Sequence, residues 1–494
     1  MKIDAEQDYY DILGVPQSAT GEEIKRAYRA LAHRYHPDSR AEESPTTLFH
    51  DIQTAYSILS ESDSRRAYDQ QRDRLGVSDD SPLVWNILLS HEQLYTHYEE
   101  QALYLLLEIN STSSAQSRRV PLNLCLVVDR STSMQGSRME HVKQAAHKII
   151  DELHEDDALA LVTFSDRAEV VLPSRVGVNS AQAKAKISAV FASGGTEILQ
   201  GVQAGLAEIE KRHTDQGISH LILLTDGQTY GDDEECIAEA RGAGARRIGI
   251  TAMGIGSDWN DALLDEMASQ SGGVSAYIAS PGQVRSLLRK RVRGLKSVFA
   301  KDLTLTLRCT EDVWVEKIFR TSPYLEHLVL TNGEIDLGAL QADVPLTIVL
   351  EIGVGQRSVG EHRLLQFGLT VDIPGWQSER IKLWRDVVCT FVSDEPASQP
   401  VPTEILRALN KAALYRMQER AWNALGSGDS STATHQLEMV ATRLFDLGET
   451  QLARSAMLEA GRIAQGGNPT AKGRKELKYG TRSLNIASWS RSHD

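Results

Sequence analysis

The sequence predicts a multidomain protein. An all-α unit is followed by a doubly wound α/β domain, an antiparallel β-sandwich-like domain and a C-terminal helical hairpin or bundle. The first observation is the length of 494 residues, because a single hydrophobic core rarely extends over so long a chain. The second is the spacing of apolar residues along the chain. Both ends show the helical spacing of 3.6 residues, and segments with strand and helix spacing alternate after about residue 100. After about residue 300, every second residue is apolar, as in strands.

The composition argues against several classes of function. The net charge of −14 gives no overall attraction to nucleic acid or to an anionic membrane, so we expect neither as a partner. The four cysteines are far apart and form no CxxC pair, which argues against a disulfide or zinc framework and favours a reducing, cytoplasmic compartment. The N-terminus is acidic without an apolar signal segment, and no apolar run approaches the ~20 residues of a membrane-spanning helix.

Residues 6–74 have the pattern of a small helical unit. Within it, residues 22–35 read EEIKRAYRALAHRY, which places apolar side chains on one helical face and cations on the opposite face. Pro37 cannot continue this helix, so the His-Pro-Asp triplet at residues 36–38 is expected to form a stiff, exposed corner. These features alone also fit an ordinary helical hairpin with a solvated basic face.

Further segments of the same unit follow in a fixed order. They read DYYDILGV, IKRAYRALAHRYHPD, FHDIQTAYSILS and RRAYD, and together they resemble the J-domain family. The resemblance implies docking on a DnaK-type chaperone and stimulation of its ATP hydrolysis, with the basic helix as docking face and the corner as transmitter. The chain has neither a Gly/Phe-rich segment nor a cysteine-rich zinc region after this unit, which indicates a specialised J-protein. The implied chaperone-binding residues are Lys25, Arg26, Arg29, Arg34, His36, Pro37 and Asp38.

An α/β domain is predicted over residues 100–298, with its core in residues 120–295 and a linker over residues 75–99 before it. Apolar strands such as LNLCLVV, LALVTF and HLILLT alternate with amphipathic helices. This alternation predicts a mostly parallel sheet that is covered on both faces.

Oxygen-bearing side chains follow three segments of this domain. Asp129, Ser131 and Ser133 come directly after one apolar strand, Thr196 follows a Gly-Gly turn, and Asp226 ends another strand. Loops at the carboxyl ends of parallel strands converge at the switch point of the sheet, so we expect a cluster of hard oxygens that suits Mg²⁺ or Mn²⁺. Taken singly, each feature also fits an ordinary helix cap or turn.

The order DxSxS, GGT and TDG on an α/β alternation resembles the von Willebrand factor A domain and its metal-ion-dependent adhesion site. The resemblance implies that these five residues hold the metal directly or through water, and that an open position accepts an acidic side chain from a protein client. A metal-dependent hydrolase is the less favoured alternative. Asp166, Arg130 and Glu197 lie near the predicted loops but belong to no further motif, and GGT lacks the Lys-Ser/Thr end of a nucleotide-binding loop.

The rest of the chain is predicted to form a β-rich domain over residues 299–395, helices over residues 402–465 and a flexible basic tail over residues 466–494. The tail contains Thr481 next to a basic residue, and we expect it to be a possible phosphorylation site. An alternative is a solvated tail without such a role.

Together these features predict a specialised J-domain co-chaperone that stimulates a partner ATPase, catalyses no reaction itself and binds a client through a Mg²⁺-dependent site. The alternative from another class is a signalling or scaffold protein in which binding by the A-type domain dominates.

Overall fold

The computed structural model describes most of the chain, which divides into two compact units. One unit contains the N-terminal helices and the β-rich domain, and the other contains the α/β domain and most of the C-terminal helices. The described residues are 9–13, 15, 19–35, 46–74, 83–111, 119–229, 231–342, 344–373, 380–394 and 400–484.

The helices and strands are numbered in chain order. The helices are α1 (Tyr9–Leu13), α2 (Gly21–Tyr35), α3 (Thr46–Leu59), α4 (Ser62–Arg74), α5 (Ser137–Glu152), α6 (Ser180–Ser188), α7 (Ile198–Glu210), α8 (Asp233–Ala245), α9 (Asp261–Gln270), α10 (Val284–Lys296), α11 (Thr403–Gly426), α12 (Ser430–Asp446), α13 (Thr450–Ala464) and α14 (Ala471–Arg482). The strands are β1 (Leu83–Leu89), β2 (Gln93–Tyr95), β3 (Glu100–Ser111), β4 (Leu122–Asp129), β5 (Ala158–Phe164), β6 (Ala168–Val176), β7 (Ile218–Thr225), β8 (Ile248–Ile255), β9 (Ser275–Ile278), β10 (Val298–Cys309), β11 (Val313–Ser322), β12 (Glu326–His327), β13 (Glu334–Gln341), β14 (Leu346–Gly355), β15 (Gly360–Asp372) and β16 (Ile381–Val392).

Helices α1–α4 pack around a small apolar core, which confirms the predicted all-α unit. Ile24 of α2 and Ile52 of α3 are buried in this core. Helix α2 begins at a capping box, because the Thr20 amide donates to the Glu23 carboxylate (2.7 Å) and the Glu23 amide donates to the Thr20 hydroxyl (3.3 Å). The Thr20 hydroxyl also donates to the Glu23 carboxylate (2.9 Å), and the hydrogen bonds from the Thr20 amide and hydroxyl lower the pKa of Glu23. The helix start is therefore fixed by its own side chains.

The α/β domain contains a six-stranded sheet with the strand order β6-β5-β4-β7-β8-β9. All its paired strands are parallel except β6, which runs antiparallel to β5 at one edge. Every residue of the central strand β4 is buried, and alternate side chains enter two different cores. Leu124 packs in the core with α5 and α10, whereas Cys125 packs in the core with α7 and α8. The sheet is thus covered on both faces, as the sequence predicts.

The topology of this sheet brings two separate loops together. Strand β4 pairs with β5 on one side and with β7 on the other, although β7 comes much later in the chain. Val128 is in register with Leu224, so the residues that follow the two strands lie side by side at the same edge. This is the switch point at which open parallel sheets place their sites.

The β-rich domain consists of two five-stranded sheets, in the orders β1-β3-β14-β11-β12 and β13-β10-β15-β16-β2. Their apolar side chains share one core, to which Leu105 contributes from one sheet and Phe367 from the other. The predicted boundaries at residues 75–99 and 100 are wrong here. Strand β3 pairs antiparallel with β14, so residues 83–111 belong to this domain and the α/β domain is inserted between β3 and β10. An apolar strand pattern does not identify a partner strand that lies more than 200 residues away.

The C-terminal helices extend further than predicted, because residues 471–482 form helix α14 rather than a flexible tail. The Thr470 hydroxyl caps this helix by accepting a hydrogen bond from the Gly473 amide (3.0 Å). Two glycines that suggested flexibility serve close packing instead. A Cβ on Gly473 would lie 2.2 Å from the Glu459 carboxylate, and one on Gly480 would lie 2.5 Å from the Leu452 side chain.

Thr481 is therefore not an exposed phosphorylation site. It lies in α14 with 0% exposure, and its hydroxyl hydrogen-bonds the Leu477 carbonyl (2.8 Å) and the Gln418 side chain (3.1 Å). The prediction that Thr481 lies in a flexible tail was wrong, because the basic and glycine residues of this segment are typical of a loose chain although one face of the helix is buried.

Helix α14 also packs against the α/β domain through a group of charged and aromatic side chains. The Asp265 carboxylate accepts from the Tyr479 hydroxyl (2.6 Å) and forms ion pairs with Lys478 (2.8 Å) and Arg482 (3.0 Å). Burial acts to raise the pKa of Asp265, but the two cations outweigh it and the pKa is lowered.

In the described part of the chain, no helix is both long and apolar enough to cross a membrane.

We predict that Asp265→Asn loosens helix α14. The substitution leaves two cations without their shared carboxylate, and breaking such a partly buried pair should cost about 2 kcal/mol. Hydrogen exchange of the α14 amides at neutral pH should therefore accelerate. Glu266→Gln, at the exposed neighbouring carboxylate, is the control and should leave exchange unchanged. Equal protection of α14 in wild type and Asp265→Asn would contradict this role.

Candidate functional site

Asp129 is the last residue of β4, and both of its carboxylate oxygens are held by hydrogen bonds. Oδ1 accepts from the Ser131 amide (2.7 Å), and Oδ2 accepts from the hydroxyl of Thr225 at the end of β7 (2.7 Å). The side chain is inaccessible to solvent, and burial raises the pKa of Asp129 in spite of the hydrogen bonds from Ser131 and Thr225. A cation close to this carboxylate would favour its charged form.

The two serines connect Asp129 to the second carboxylate. The hydroxyls of Ser131 and Ser133 lie 2.9 Å apart, and the Ser133 hydroxyl donates to Asp226 Oδ1 (2.6 Å). Asp226 is buried, whereas Ser133 is exposed, so the oxygen cluster has a buried floor and an opening to solvent. Four of the five residues predicted as metal ligands are thus connected by hydrogen bonds.

Thr196 is the fifth predicted ligand, and it lies against the same loop. A Cβ on Gly227, the residue after Asp226, would be 2.9 Å from Thr196 Oγ1. The Thr196 side chain is buried next to the second carboxylate. The structure therefore brings all five predicted residues to one edge of the sheet.

The loop that carries Thr196 is fastened by backbone hydrogen bonds to the loop after β4. The Ser193 amide donates to the Arg130 carbonyl (2.6 Å), and the Thr132 amide donates to the Gly194 carbonyl (3.1 Å). Asp166, which the sequence analysis treats only as a nearby polar residue, accepts from the Gly195 amide (2.8 Å). A Cβ on Gly194 would lie 2.6 Å from the other oxygen of Asp166, and Gly194 has φ +84°. Glycine is therefore needed in this turn.

Arg138, in the first turn of α5, is a residue of the site that the sequence motifs do not indicate. Its guanidinium forms an ion pair with Asp226 Oδ2 and donates to the Ser133 carbonyl (3.0 Å). A basic residue shortly after the DxSxS motif is the only sequence signal for this contact. The order of the loops along the sequence does not show in which direction the long Arg138 side chain points.

The donor set fits a hard divalent cation, because it consists of two carboxylates and three hydroxyls. Cys125 lies earlier in β4, where burial raises the pKa of its thiol, so it contributes no soft ligand. Among the described residues there is no group of three or more His, Cys, Asp or Glu side chains placed to hold a metal. Hydroxyl oxygens would thus have to complete the coordination, as Mg²⁺ and Mn²⁺ accept.

The predicted chaperone-binding residues are only partly described. Lys25, Arg26 and Arg29 are exposed on α2, opposite the buried Ile24. Arg34 lies within α2, but its side chain is outside the described residues, and so is the triplet at residues 36–38. The described part of α2 thus has an exposed cationic face and a buried apolar face.

Three family models match the chain. A DnaJ domain covers residues 8–69, a von Willebrand factor type A domain covers residues 123–290, and an Sll0103-like C-terminal alpha-helical domain covers residues 403–486. The chain is therefore a J-domain protein that also carries a von Willebrand factor A domain, as the sequence motifs indicate.

Relatives match different parts of the chain. The uncharacterized protein sll0103 of Synechocystis is 29% identical over 365 residues, which is 72% of this chain and 86% of that protein. YfbK of Escherichia coli is 24% identical over 58% of this chain, and the match spans about half (51%) of that protein. The chaperone protein DnaJ of Hydrogenobacter thermophilus is 53% identical over 64 residues, 13% of this chain and 18% of that protein. The likeness to DnaJ is thus confined to a small part of each chain.

Two solved structures share the fold over most of the chain. A von Willebrand factor type A protein from Catenulispora acidiphila covers 82% of this chain and 97% of its own, with a TM-score of 0.65 and 19% identity. The ArnB paralog VWA2 from Sulfolobus acidocaldarius also covers 82% of this chain and 100% of its own, with a TM-score of 0.52 and 15% identity. At these identities the similarity is one of fold.

We predict that Asp166→Ala loosens the loop that carries Thr196. The Gly195 amide would lose its charged acceptor, a hydrogen bond worth about 1 kcal/mol at an exposed site, so its hydrogen exchange should accelerate about fivefold. Exchange measured over residues 193–197 tests this expectation. Glu155→Ala, at an exposed carboxylate before β5, is the control. Unchanged exchange in Asp166→Ala would show that the backbone hydrogen bonds hold the loop unaided.

Proposed function

We propose that this protein is a cytoplasmic co-chaperone that delivers a protein client to a DnaK-type chaperone. In this proposal the J-domain recruits the chaperone and stimulates its ATP hydrolysis, while the α/β domain binds the client. The observation that carries it is the presence, in one chain, of a J-domain and a cluster of five oxygen-bearing residues at the switch point of an A-type domain. The partners would be proteins, rather than nucleic acid or membrane.

Recruitment of the chaperone is supported by the charges of α2. Lys25, Arg26 and Arg29 are exposed on one helix in a chain whose net charge is −14. A local cationic face on an otherwise anionic protein steers that face towards an acidic surface of a partner. The His-Pro-Asp triplet at residues 36–38 would then transmit the stimulus, as the J-domain resemblance implies. The protein itself would not catalyse ATP hydrolysis.

Client binding is supported by the donor set at the switch point. Asp129, Ser131, Ser133, Thr196 and Asp226 would hold Mg²⁺, or alternatively Mn²⁺, and the bound ion would supply a coordination position for a carboxylate of the client. These residues orient that position, because the hydrogen bonds among them fix the buried oxygens before any ligand arrives. The exposed Ser133 marks the side from which a client would approach. Binding would therefore require both the metal and an acidic client side chain.

We predict that the protein stimulates single-turnover ATP hydrolysis by a cognate DnaK-type chaperone, and that His36→Gln abolishes the stimulation. The imidazole belongs to the His-Pro-Asp triplet that would transmit the stimulus, whereas the substitution leaves the cations of the docking helix in place. The exposed His435→Gln on α12 is the matched control and should stimulate normally. If wild type and His36→Gln give the same rate, the co-chaperone function is wrong.

We predict that client capture depends on the metal. Proteins cross-linked to the purified chain in Mg²⁺ should be lost in EDTA and should also be lost with Asp129→Ala or Thr196→Ala. Thr132→Ala removes an exposed hydroxyl from the same loop that is not among the five predicted ligands, so it should retain the client. A client retained in EDTA and by Asp129→Ala would instead favour a scaffold protein with a metal-independent surface.

A further inference from the structure

Asp226 already has a positively charged neighbour from its own chain. Its Oδ2 atom is paired with the Arg138 guanidinium, while its Oδ1 atom accepts from the Ser133 hydroxyl (2.6 Å). The Asp226 side chain is completely buried, and the Arg138 side chain is 31% exposed. The pair thus lies at the mouth of the oxygen cluster, with its carboxylate inside and its cation towards solvent.

Arg138 differs in this respect from the other arginine of the site. The Arg130 guanidinium donates to the Ser193 hydroxyl (3.0 Å) and lies 3.9 Å from Glu169, so it faces the turn rather than a predicted ligand. An arginine side chain remains protonated throughout the accessible pH range. Arg138 therefore places a positive charge directly beside a predicted ligand.

The loop that follows β8 approaches the Arg138 guanidinium closely. Gly256 in this loop has φ +76°, and a Cβ on it would lie 3.3 Å from Arg138 Nη2. The Trp259 indole donates to the Gly256 carbonyl (2.7 Å), so the loop closes on itself. The loop therefore limits the space into which the guanidinium could withdraw.

Helix α14 fastens this loop. The Lys475 ammonium, whose residue is only 3% exposed, donates to the carbonyls of Ser257 (2.7 Å) and Trp259 (2.5 Å) and lies 4.1 Å from the centre of a Trp259 ring. A continuous series of contacts thus runs from Lys475 through residues 256–259 to Arg138 and Asp226. It connects the C-terminal helices to the cluster of predicted ligands.

We propose that Arg138 is an internal counter-ion that competes with a divalent cation for Asp226, and that Lys475 strengthens this competition by fixing the loop behind it. The inference rests on the proposed metal site and adds a means of setting its affinity. Cation binding would require the guanidinium to leave Asp226 Oδ2, so the apparent affinity is lowered by the strength of the ion pair.

We predict that Arg138→Met binds Mn²⁺ about tenfold more tightly than wild type, because the cation no longer has to displace a guanidinium and a factor of ten corresponds to about 1.4 kcal/mol. Titration followed by electron paramagnetic resonance of free Mn²⁺ measures the affinity directly. Arg138→Lys keeps a cation and should remain close to wild type. Arg130→Met removes a nearby charge that does not contact Asp226 and should change affinity less than about twofold. Equal Mn²⁺ affinity in wild type and Arg138→Met would overturn the inference.

Lys475→Met tests the role of the loop in the same titration. It should tighten Mn²⁺ binding about threefold in the wild-type background and have no effect in Arg138→Met, since the loop acts through Arg138. An equal effect in both backgrounds would overturn the role of Lys475. Thr196→Ala separates this inference from the proposed site. If Thr196→Ala binds as wild type does while Arg138→Met binds more tightly, the five-residue site is wrong and the competition stands. If neither wild type nor any variant binds Mn²⁺, the proposed metal site and the proposed competition are both wrong.

Discussion

The parallel pairing of β4 with β7 is the constraint on which the candidate site depends. It places the carboxylates of Asp129 and Asp226 at the ends of two neighbouring buried strands, where water cannot stabilise their charges. Each surrounding feature compensates for that burial. Hydroxyl groups donate to the oxygens, and the Arg138 guanidinium pairs with one of them. The proposed cation would add to this compensation, because a positive charge close to a carboxylate favours its charged form.

Local pattern was sufficient to predict this part of the molecule. The alternation of strands and helices identifies the parallel sheet, and the rule that loops converge at carboxyl strand ends unites residues as distant in sequence as Asp129 and Asp226. The hydrophobic pattern did not predict to which domain a strand belongs, because that depends on the strand with which it pairs. Strand β3 reads as a strand in either domain, and only its pairing with β14 shows that it belongs to the β-rich domain. The direction of side chains could not be predicted either, which is why Arg138 was missed and Asp166 was given no role.

Helix α14 illustrates a different reason for failure. Its sequence, AKGRKELKYGTR, combines glycine with basic residues, a composition that usually indicates a loose segment. Here the glycines permit close contact with Glu459 and Leu452, and the basic residues meet Asp261 and Asp265. Lys475 is buried against backbone carbonyls of the α/β domain. The C-terminal helices are therefore part of the same structural unit as the candidate site, and they have physical means to influence it.

The two proposed binding functions both favour acidic partners, yet they need not compete. The exposed cations of α2 act through a diffuse field that salt screens over about 10 Å, and such a field affects the rate of encounter more than the final geometry. A carboxylate bound at the switch point would instead meet a cation fixed by buried oxygens, which is directional and weakly screened. An acidic client would thus gain little from α2, and an acidic chaperone surface without a protruding carboxylate would gain little from the oxygen cluster. Under the proposed function one chain would bind both partners, and the chain rather than diffusion would then set their mutual concentration.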